Sequence, residues 1–372
     1  MKKQKRILFV VDHLDYGGAQ THLIDLVNNL SEEFQPTILL LGEMTTLAPR
    51  LKPSIEVRKE VRRWRFDFSL QKRIASYIAK GYYDNYFVTS PFSFYFLSAA
   101  RKKLGHNFPI NFILHSSQIL NCKDFIRRFL FVRSKMPQDK FISTCQFQVD
   151  FFSKTFRIPL KQFQTIYNGI DTKRFTLAPS SFSSKEIKAS LGIPGTAKVL
   201  LQVATLRKEK AHQYSVEALK ILHEIGSEKP YLLIVGGGNE LLQEHLHRLS
   251  DKAGVSQYVK FCGMQEDLLP YYWISDLFTL SSIAIETFSI SALIAMASGL
   301  PCVLTNVGGA CEMVTDGING FVVPPKDARA LADGWRKVLN GQVSMKPEHI
   351  RRIVEEKFSL DSMVQSYEAL IK

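Results

Sequence analysis

The chain has few cysteines and no cysteine pattern. Its 372 residues include five, and no two of them are spaced as Cys-x-x-Cys. A disulfide framework needs paired cysteines in a secreted chain, and a structural zinc site needs closely spaced pairs of ligands. The cysteine content therefore argues against both and fits a reducing compartment.

Long apolar runs are also absent. The basic start, residues 1–6, is followed by an apolar run, Ile7 to Val11, that ends at Asp12. A secretory signal needs a longer run, and a membrane helix needs about 20 apolar residues. We expect neither, and hence a cytoplasmic protein that is soluble or peripheral at the cytoplasmic face of the membrane.

Two glycine clusters lack the common nucleotide signatures. Gly17-Gly18 is followed by Ala19 and His22, and Gly236-Gly237-Gly238 by Leu241, so neither completes Gly-x-Gly-x-x-Gly. No Gly-Lys-Ser/Thr motif occurs, which argues against a P-loop NTPase. Paired glycines between a strand and a helix can still let backbone N–H groups approach a phosphate, although a tight turn without a ligand is the alternative.

What the chain does contain is a repeated alternation of strands and helices. With 45% hydrophobic and 22% charged residues, it predicts a globular protein of two domains. The alternation predicts an α/β fold with two doubly wound, Rossmann-like domains, covering residues 1–178 and 179–357. The predicted strands are Ile7–Val11, Thr37–Leu41, Asn85–Thr89, Asn111–Leu114, Phe141–Cys145, Gln164–Tyr167, Val199–Val203, Tyr231–Val235, Val259–Phe261, Leu277–Leu280, Cys302–Thr305 and Phe321–Val323.

Two polar residues stand where such sheets bind ligands, at the carboxyl ends of strands. His115 follows the strand Asn111–Leu114, and Glu286 lies in the loop before a helix predicted over Ser291–Ser298. A carboxylate there suits sugar hydroxyls, and the free N–H groups of the helix start suit a diphosphate. The alternatives are a structural histidine and a surface glutamate beside a helix cap. Two such sheets facing across a cleft would both contribute to one site.

Ordered motifs along nearly the whole chain resemble the retaining glycosyltransferases of family 4. This resemblance implies the GT-B arrangement, with a C-terminal helix, about residues 358–372, packing back on an acceptor-binding first domain, while the second domain binds the nucleotide sugar. The motifs are Tyr16-Gly17-Gly18-Ala19-Gln20, Tyr167-Asn168-Gly169-Ile170-Asp171, residues 206–212, Gly236-Gly237-Gly238, residues 286–301, residues 307–314 and residues 316–321.

The resemblance also assigns roles. His115 is the histidine beside the donor sugar, Lys210 neutralises the diphosphate, and Glu286 binds donor-sugar hydroxyls; these three are the predicted catalytic residues. Such groups would stabilise the charge that develops on the leaving diphosphate. The predicted donor-binding residues are Gly17, Gly18, Arg207, Lys210, Gly236, Met264, Glu286, Phe288, Ser289, Ile290 and Ile294.

Two positions depart from the family pattern. Ile294 stands where the second acid of Glu-x7-Glu usually holds the ribose, and Thr205 where a phosphate-binding arginine is usual. Arg207, two residues on, could replace that arginine, and loss of a bidentate contact would matter. The chain could be an active enzyme with a reworked nucleotide site, a weakened one, or a silent paralogue acting as a subunit or scaffold. Retention of Glu286, Lys210 and His115 favours activity.

The expected reaction moves a hexose or N-acetylhexosamine from a UDP- or GDP-sugar to a hydroxyl with retention. We expect no cofactor and no metal, because no Asp-x-Asp motif lies on a plausible metal loop. A GT-B epimerase is a further alternative, but the sequence shows no added acid and base pair to support it.

Charge points to the acceptor. The net charge is +13, and residues 1–178 hold 28 Lys and Arg against 14 Asp and Glu, whereas the remainder hold 20 against 21. Basic clusters at residues 58–65 and 101–103, with the aromatic and basic segment 121–135, predict contact with a membrane surface or a lipid-linked or otherwise anionic acceptor. The alternatives are a solvated basic surface and a core helix with basic outer residues. No nucleic-acid-binding motif appears, so we expect no nucleic acid partner.

Overall fold

A computed structural model describes residues 4–15, 17–63, 67, 69–115, 132–226, 228–284 and 286–372. The chain divides into two compact units. Unit 1 comprises Met1–Asn168 with Leu360–Lys372, and unit 2 comprises Gly169–Ser359.

Unit 1 is built on a parallel sheet of seven strands in the order β3-β2-β1-β4-β5-β6-β7. The strands are β1 Lys5–Val11, β2 Phe34–Leu40, β3 Glu56–Lys59, β4 Asn85–Val88, β5 Ile110–Leu114, β6 Lys140–Ser143 and β7 Phe163–Thr165. The helices are α1 Gly18–Asn29, α2 Ser69–Lys80, α3 Pro91–Leu104, α4 Gln146–Phe156 and, from the end of the chain, Leu360–Ile371.

Both faces of this sheet are covered, as a doubly wound fold requires. Leu8 and Val10 of β1 belong to one buried cluster, whereas Ile7, Phe9 and Val11 belong to a second. Alternate residues of a strand point to opposite faces, so a strand buried on both faces reads as a continuous apolar run.

Unit 2 repeats the design with six parallel strands in the order β10-β9-β8-β11-β12-β13. The strands are β8 Val199–Val203, β9 Tyr231–Val235, β10 Val259–Gly263, β11 Leu277–Leu280, β12 Cys302–Thr305 and β13 Gly320–Val323. The helices are α5 Ser184–Ser190, α6 His212–Ile225, α7 Glu240–Lys252, α8 Leu269–Trp273, α9 Ile290–Ala297, α10 Ala310–Met313, α11 Ala328–Leu339 and α12 Pro347–Lys357. Two parallel, doubly wound sheets confirm the predicted fold class.

The two compact units divide after Asn168, ten residues before the predicted boundary at residue 178, because the segment after Asn168 contacts unit 2. The guanidinium of Arg351 donates to the carbonyl oxygens of Phe175 and Thr172 at 2.6 and 2.7 Å. The Pro/Ser-rich stretch that suggested the boundary lies beyond these contacts.

The last helix, which we number α13, lies in unit 1, as the resemblance implies. It runs from Leu360 to Ile371 and buries Met363, Val364 and Tyr367 in the same apolar cluster as the buried side chains of α1. The chain therefore ends on the unit in which it began.

One predicted basic cluster is not a surface feature as a whole. Arg101 is fully buried, and its guanidinium holds both carboxylate oxygens of Asp139 at 2.6 and 3.0 Å. A buried charge needs such a partner. Lys102 and Lys103 are exposed and remain candidates for an anionic contact. Residues 64–66 and most of segment 121–135 lie outside the described residues. Within the described residues, no helix combines the length and apolar character needed to cross a bilayer.

Candidate functional site

A cluster of polar side chains in unit 2 lies at the carboxyl ends of β8 and β11. Lys210 follows β8 and Glu286 follows β11, and the lysine Nζ lies 2.6 Å from Glu286 Oε2. The hydroxyl of Ser282 donates to the same oxygen at 3.0 Å. The two charged side chains retain 19% and 16% of their exposure. The two predicted site residues are 76 positions apart in the sequence, and the fold brings the cation and the carboxylate into contact at a partly exposed position.

Backbone contacts hold these two loops together. Ser281 is buried, and its hydroxyl donates to the carbonyl oxygens of Lys210 and Ala211 at 3.0 and 3.1 Å. The backbone N–H of Ile283 donates to the carbonyl of Glu209 at 2.9 Å. Because these hydrogen bonds fix the two loop backbones relative to each other, they also hold Lys210 and Glu286 close together.

The loop that carries Glu286 packs against a third loop, which contains Gly308 and Gly309. Gly308 has φ +62°, and a Cβ there would lie 2.2 Å from the carbonyl oxygen of Glu286 and 2.6 Å from that of Thr287. The N–H of Gly309 donates to the Thr287 carbonyl at 2.6 Å. Glycine is required at Gly308 on both counts, conformation and space. Its role was not predicted, because the motif of residues 307–314 indicated only the resemblance to the family and not what each residue does.

The second glycine cluster lies beside the loop that contains Arg207. Gly236 has φ +145°, and a Cβ there would lie 2.1 Å from the carbonyl oxygen of Ala204. Met264, 63% exposed, borders Gly237. Arg207 and Thr205 are both exposed. The structure thus brings Gly236, Met264 and Arg207 to neighbouring loops at one end of the sheet.

The start of α9 supplies the remaining predicted donor-binding residues. Ser289 caps this helix, and its hydroxyl accepts from the N–H of Ala292 at 3.3 Å. Phe288 is 2% exposed and packs on Phe358 with ring centroids 5.1 Å apart. Phe288 could therefore reach a ligand only through its backbone, which is the role the resemblance gives it. Ile290 is half-buried in the first turn of the helix.

Ile294 is a core residue. It is 5% exposed, within a helix whose other buried residues include Leu293 and Met296. An aliphatic side chain offers no hydrogen bond to ribose hydroxyls. The position therefore contributes packing where the family pattern has an acid.

In unit 1, the predicted residues lie at the carboxyl ends of β1 and β5. Gly17 caps α1 and Gly18 begins it. His115 follows β5, and its buried Nε2 has no hydrogen-bond partner among the described residues. Burial, with a smaller contribution from His22, lowers the pKa of His115 well below its usual value, so the ring is neutral at neutral pH.

Asp12 is a further residue at this edge that sequence reasoning missed. Its buried Oδ1 has no partner among the described residues, and burial raises the pKa of its carboxyl despite an opposing hydrogen bond with Ser90. The signal available in the sequence was its place directly after the first strand. In the described part of the chain, no three His, Cys, Asp or Glu side chains are grouped so as to hold a metal ion.

Two family models match the chain, one for each half. The model named Glycosyltransferase Family 4 matches residues 16–174, and the model named Glycosyl transferases group 1 matches residues 183–357. Together they cover nearly all of the sequence.

Curated relatives agree with these matches over part of their length. N-acetyl-alpha-D-glucosaminyl L-malate synthase of Bacillus anthracis is 31% identical over 215 residues, 57% of this chain and 54% of that protein. Mannosylfructose-phosphate synthase of Agrobacterium fabrum is 30% identical over 246 residues, 63% of this chain and 53% of that protein. The chain thus spans about half the length of these relatives.

Solved structures extend the likeness to the full chain. HepE of Anabaena, solved in complex with UDP, superposes with a TM-score of 0.85 at 19% identity, covering 98% of this chain and 99% of that one. WaaG, described as a glycosyltransferase involved in lipopolysaccharide biosynthesis, gives a TM-score of 0.74 at 18% identity with the same coverage. The two parallel-sheet units thus define the GT-B class of fold.

The family follows from both halves of the sequence. Because a family 4 domain is followed by a group 1 domain, the chain belongs to the GT-B glycosyltransferases of the family 4 type.

Proposed function

We propose that this protein transfers a hexose or N-acetylhexosamine from a UDP- or GDP-sugar to a hydroxyl of a glycan, a lipid-linked or another anionic acceptor. The observation that carries the proposal is the contact between Lys210 and Glu286 beside the start of α9. It joins a cation for the diphosphate, a carboxylate for sugar hydroxyls and the free N–H groups of a helix start.

In this proposal, donor binding divides the pair between two parts of one substrate. Lys210 turns to the diphosphate, which gains negative charge as the glycosidic bond breaks, and Glu286 accepts hydrogen bonds from the sugar. Ser282 still donates to Glu286 Oε2 and keeps the carboxylate in place after the lysine leaves. Separating the pair is a cost of donor binding, and once the donor is bound these charges stabilise the transition state without further reorganisation.

The remaining steps use no protein base. We propose that the sugar is transferred with retention through an oxocarbenium-like state, and that the leaving phosphate accepts the proton of the acceptor hydroxyl. His115, neutral and with a free Nε2 among the described residues, donates or accepts a hydrogen bond at the donor sugar. Lys210 and the helix start supply the positive charge, so the proposal includes neither metal nor cofactor.

The acceptor is proposed from charge. Unit 1 carries the positive excess, and its exposed Lys102 and Lys103 lie in the last turn of α3. An anionic acceptor at a membrane surface would be attracted to it. The catalytically weakened subunit remains the second candidate, because Thr205 and Ile294 both lack the polar groups usual at those positions.

Thermal unfolding with and without UDP- and GDP-linked sugars tests the donor site. A ligand at 100 times its Kd stabilises the folded state by about 2.7 kcal/mol. We expect one nucleotide class to raise the unfolding temperature in the presence of EDTA, and the same sugar to be transferred. Lys210→Ala should abolish the shift, whereas Lys208→Ala, which removes an exposed lysine from the same turn, should preserve it.

The outcomes separate the two candidates. Stabilisation without transfer or hydrolysis of the donor would favour the weakened subunit. No stabilisation by any nucleotide sugar, or equal shifts in both lysine variants, would contradict the proposed donor site.

A further inference from the structure

His115 does not stand alone in unit 1. The ring of His22, from α1, packs against it with centroids 5.2 Å apart and planes at 71°. His22 is 2% exposed. An edge-to-face contact restricts both ring planes.

A tyrosine from the other end of the chain holds His22 in turn. The hydroxyl of Tyr367, in α13, lies 3.1 Å from His22 Nε2, and the two rings are 5.7 Å apart at 64°. Tyr367 is fully buried. Residues 345 positions apart therefore share one hydrogen bond inside the core of unit 1.

All three groups are uncharged at neutral pH. Burial lowers the pKa of His22 to about 4, although the side chain of Asn168 opposes the shift. Burial likewise raises the pKa of the Tyr367 hydroxyl. A neutral imidazole has one donor and one acceptor nitrogen, and a tyrosine hydroxyl can donate to or accept from Nε2, so the hydrogen bond holds the His22 ring in either tautomer.

We propose that Tyr367 and His22 are positioning residues for His115. The tyrosine hydroxyl fixes the position and ring plane of His22, and the His22 ring fixes the plane in which His115 presents its Nε2. The last helix thereby acts on His115 through the intervening ring of His22. This inference rests on the proposed function, in which His115 contacts the donor sugar.

Tyr367→Phe tests the proposal, since it removes one hydroxyl and keeps the ring. In protein labelled with [15N]histidine, we expect the imidazole nitrogen signals of both His22 and His115 to shift, with assignments from His22→Gln and His115→Gln. Tyr77→Phe is the matched control, because the Tyr77 hydroxyl also makes a hydrogen bond within unit 1, to Tyr83 at 2.8 Å. It should leave both signals in place.

Kinetics supply a second readout. We expect Tyr367→Phe to lower kcat about tenfold, with the donor KM changed less than about threefold, since small misplacement of a catalytic group is costly. In the His115→Gln background the same substitution should cost less than about twofold, because residues acting through one another are not additive.

Unchanged imidazole signals in Tyr367→Phe would overturn the proposal, and so would an equal loss of activity in both backgrounds. If the wild-type protein transferred no sugar, the proposed function would fail, while the imidazole signals would still decide whether Tyr367 positions His115.

Discussion

At the scale of single residues, buried histidines make the stability of the protein depend on pH. His212 begins α6 and is 1% exposed. Burial first, and then the charge of Lys210, lower the pKa of His212 to about 4, against a smaller opposing effect of the Ala204 backbone. The unfolded chain, whose histidines titrate near 6.5, therefore binds protons more tightly than the folded one between these values.

The sign of the effect follows directly. The stability that neutral His212 contributes is complete above about pH 6.5 and is lost as the pH falls toward about 4. From pH 7 to pH 5 this amounts to about 2 kcal/mol. His212→Gln should flatten the fall in the free energy of unfolding of unit 2 over that range.

Urea unfolding followed by tryptophan fluorescence measures this, in a Trp64→Phe background so that the emission comes from Trp273 and buried Trp335. His349→Gln is the control, because His349 is exposed. An equal slope in His212→Gln and the parent would show that this histidine does not titrate on unfolding.

Residue types and local order predicted the members of the candidate site, but not how they are held. Lys210 and Glu286 could be chosen because each belongs to a motif of the family. The hydrogen bond between Tyr367 and His22 could not be predicted from the sequence, since no local pattern relates positions 345 residues apart. Arg101 was misread because a charged residue in a basic run looks exposed, and its buried partner Asp139 lies 38 residues on.

At the scale of elements, apolar runs predicted the central strands and failed at an edge. β3, Glu-Val-Arg-Lys, has one apolar residue and lies at the end of the sheet, where only β2 pairs with it. An edge strand needs less burial on its faces, so hydrophobicity carries no signal there. β1 and β2 likewise begin two and three residues before the predicted runs, because backbone pairing between them already starts at Lys5 and Phe34.

The proposed donor site depends on the loops that pack against the Glu286 loop. Gly308→Ala should displace the loop of Glu286, because the new Cβ would lie 2.2 Å from its carbonyl oxygen. We expect a destabilisation well above the roughly 1–2 kcal/mol that a positive φ alone costs, and loss of the donor-induced thermal shift.

Gly317→Ala separates conformation from space. Gly317 has a similar φ of +71°, but the nearest atom to its Cβ is 4.0 Å away. Calorimetry with and without donor should show a modest loss of stability and a normal shift in this variant. If the two alanine variants behaved alike, the contact behind Glu286 would have no part in shaping the site.

At the scale of the whole molecule, the positive charge is concentrated in unit 1, the unit proposed to bind the acceptor. Some cations of unit 1 are already engaged: Arg101 with Asp139, Arg58 with Glu56, and Arg62 over the ring of Phe92 at 5.0 Å. Lys102 and Lys103 are exposed at the end of α3. They are two of the exposed side chains through which the excess charge could reach an anionic surface.

Sedimentation with vesicles tests whether that charge recruits the protein to lipid. We expect binding to vesicles containing phosphatidylserine, weaker binding at high salt, and none to neutral vesicles. Reversing both lysines to glutamate should weaken binding by about 2 kcal/mol, roughly thirtyfold, at about 1 kcal/mol for each cation near the surface. The double variant Arg352→Glu and Lys357→Glu makes the same charge change at exposed positions of α12 in unit 2. Since net charge is identical in the two variants, a larger loss from the unit 1 pair would locate the contact on unit 1. Equal losses would mean that binding follows net charge alone, and the membrane-facing role of the first unit would have to be abandoned.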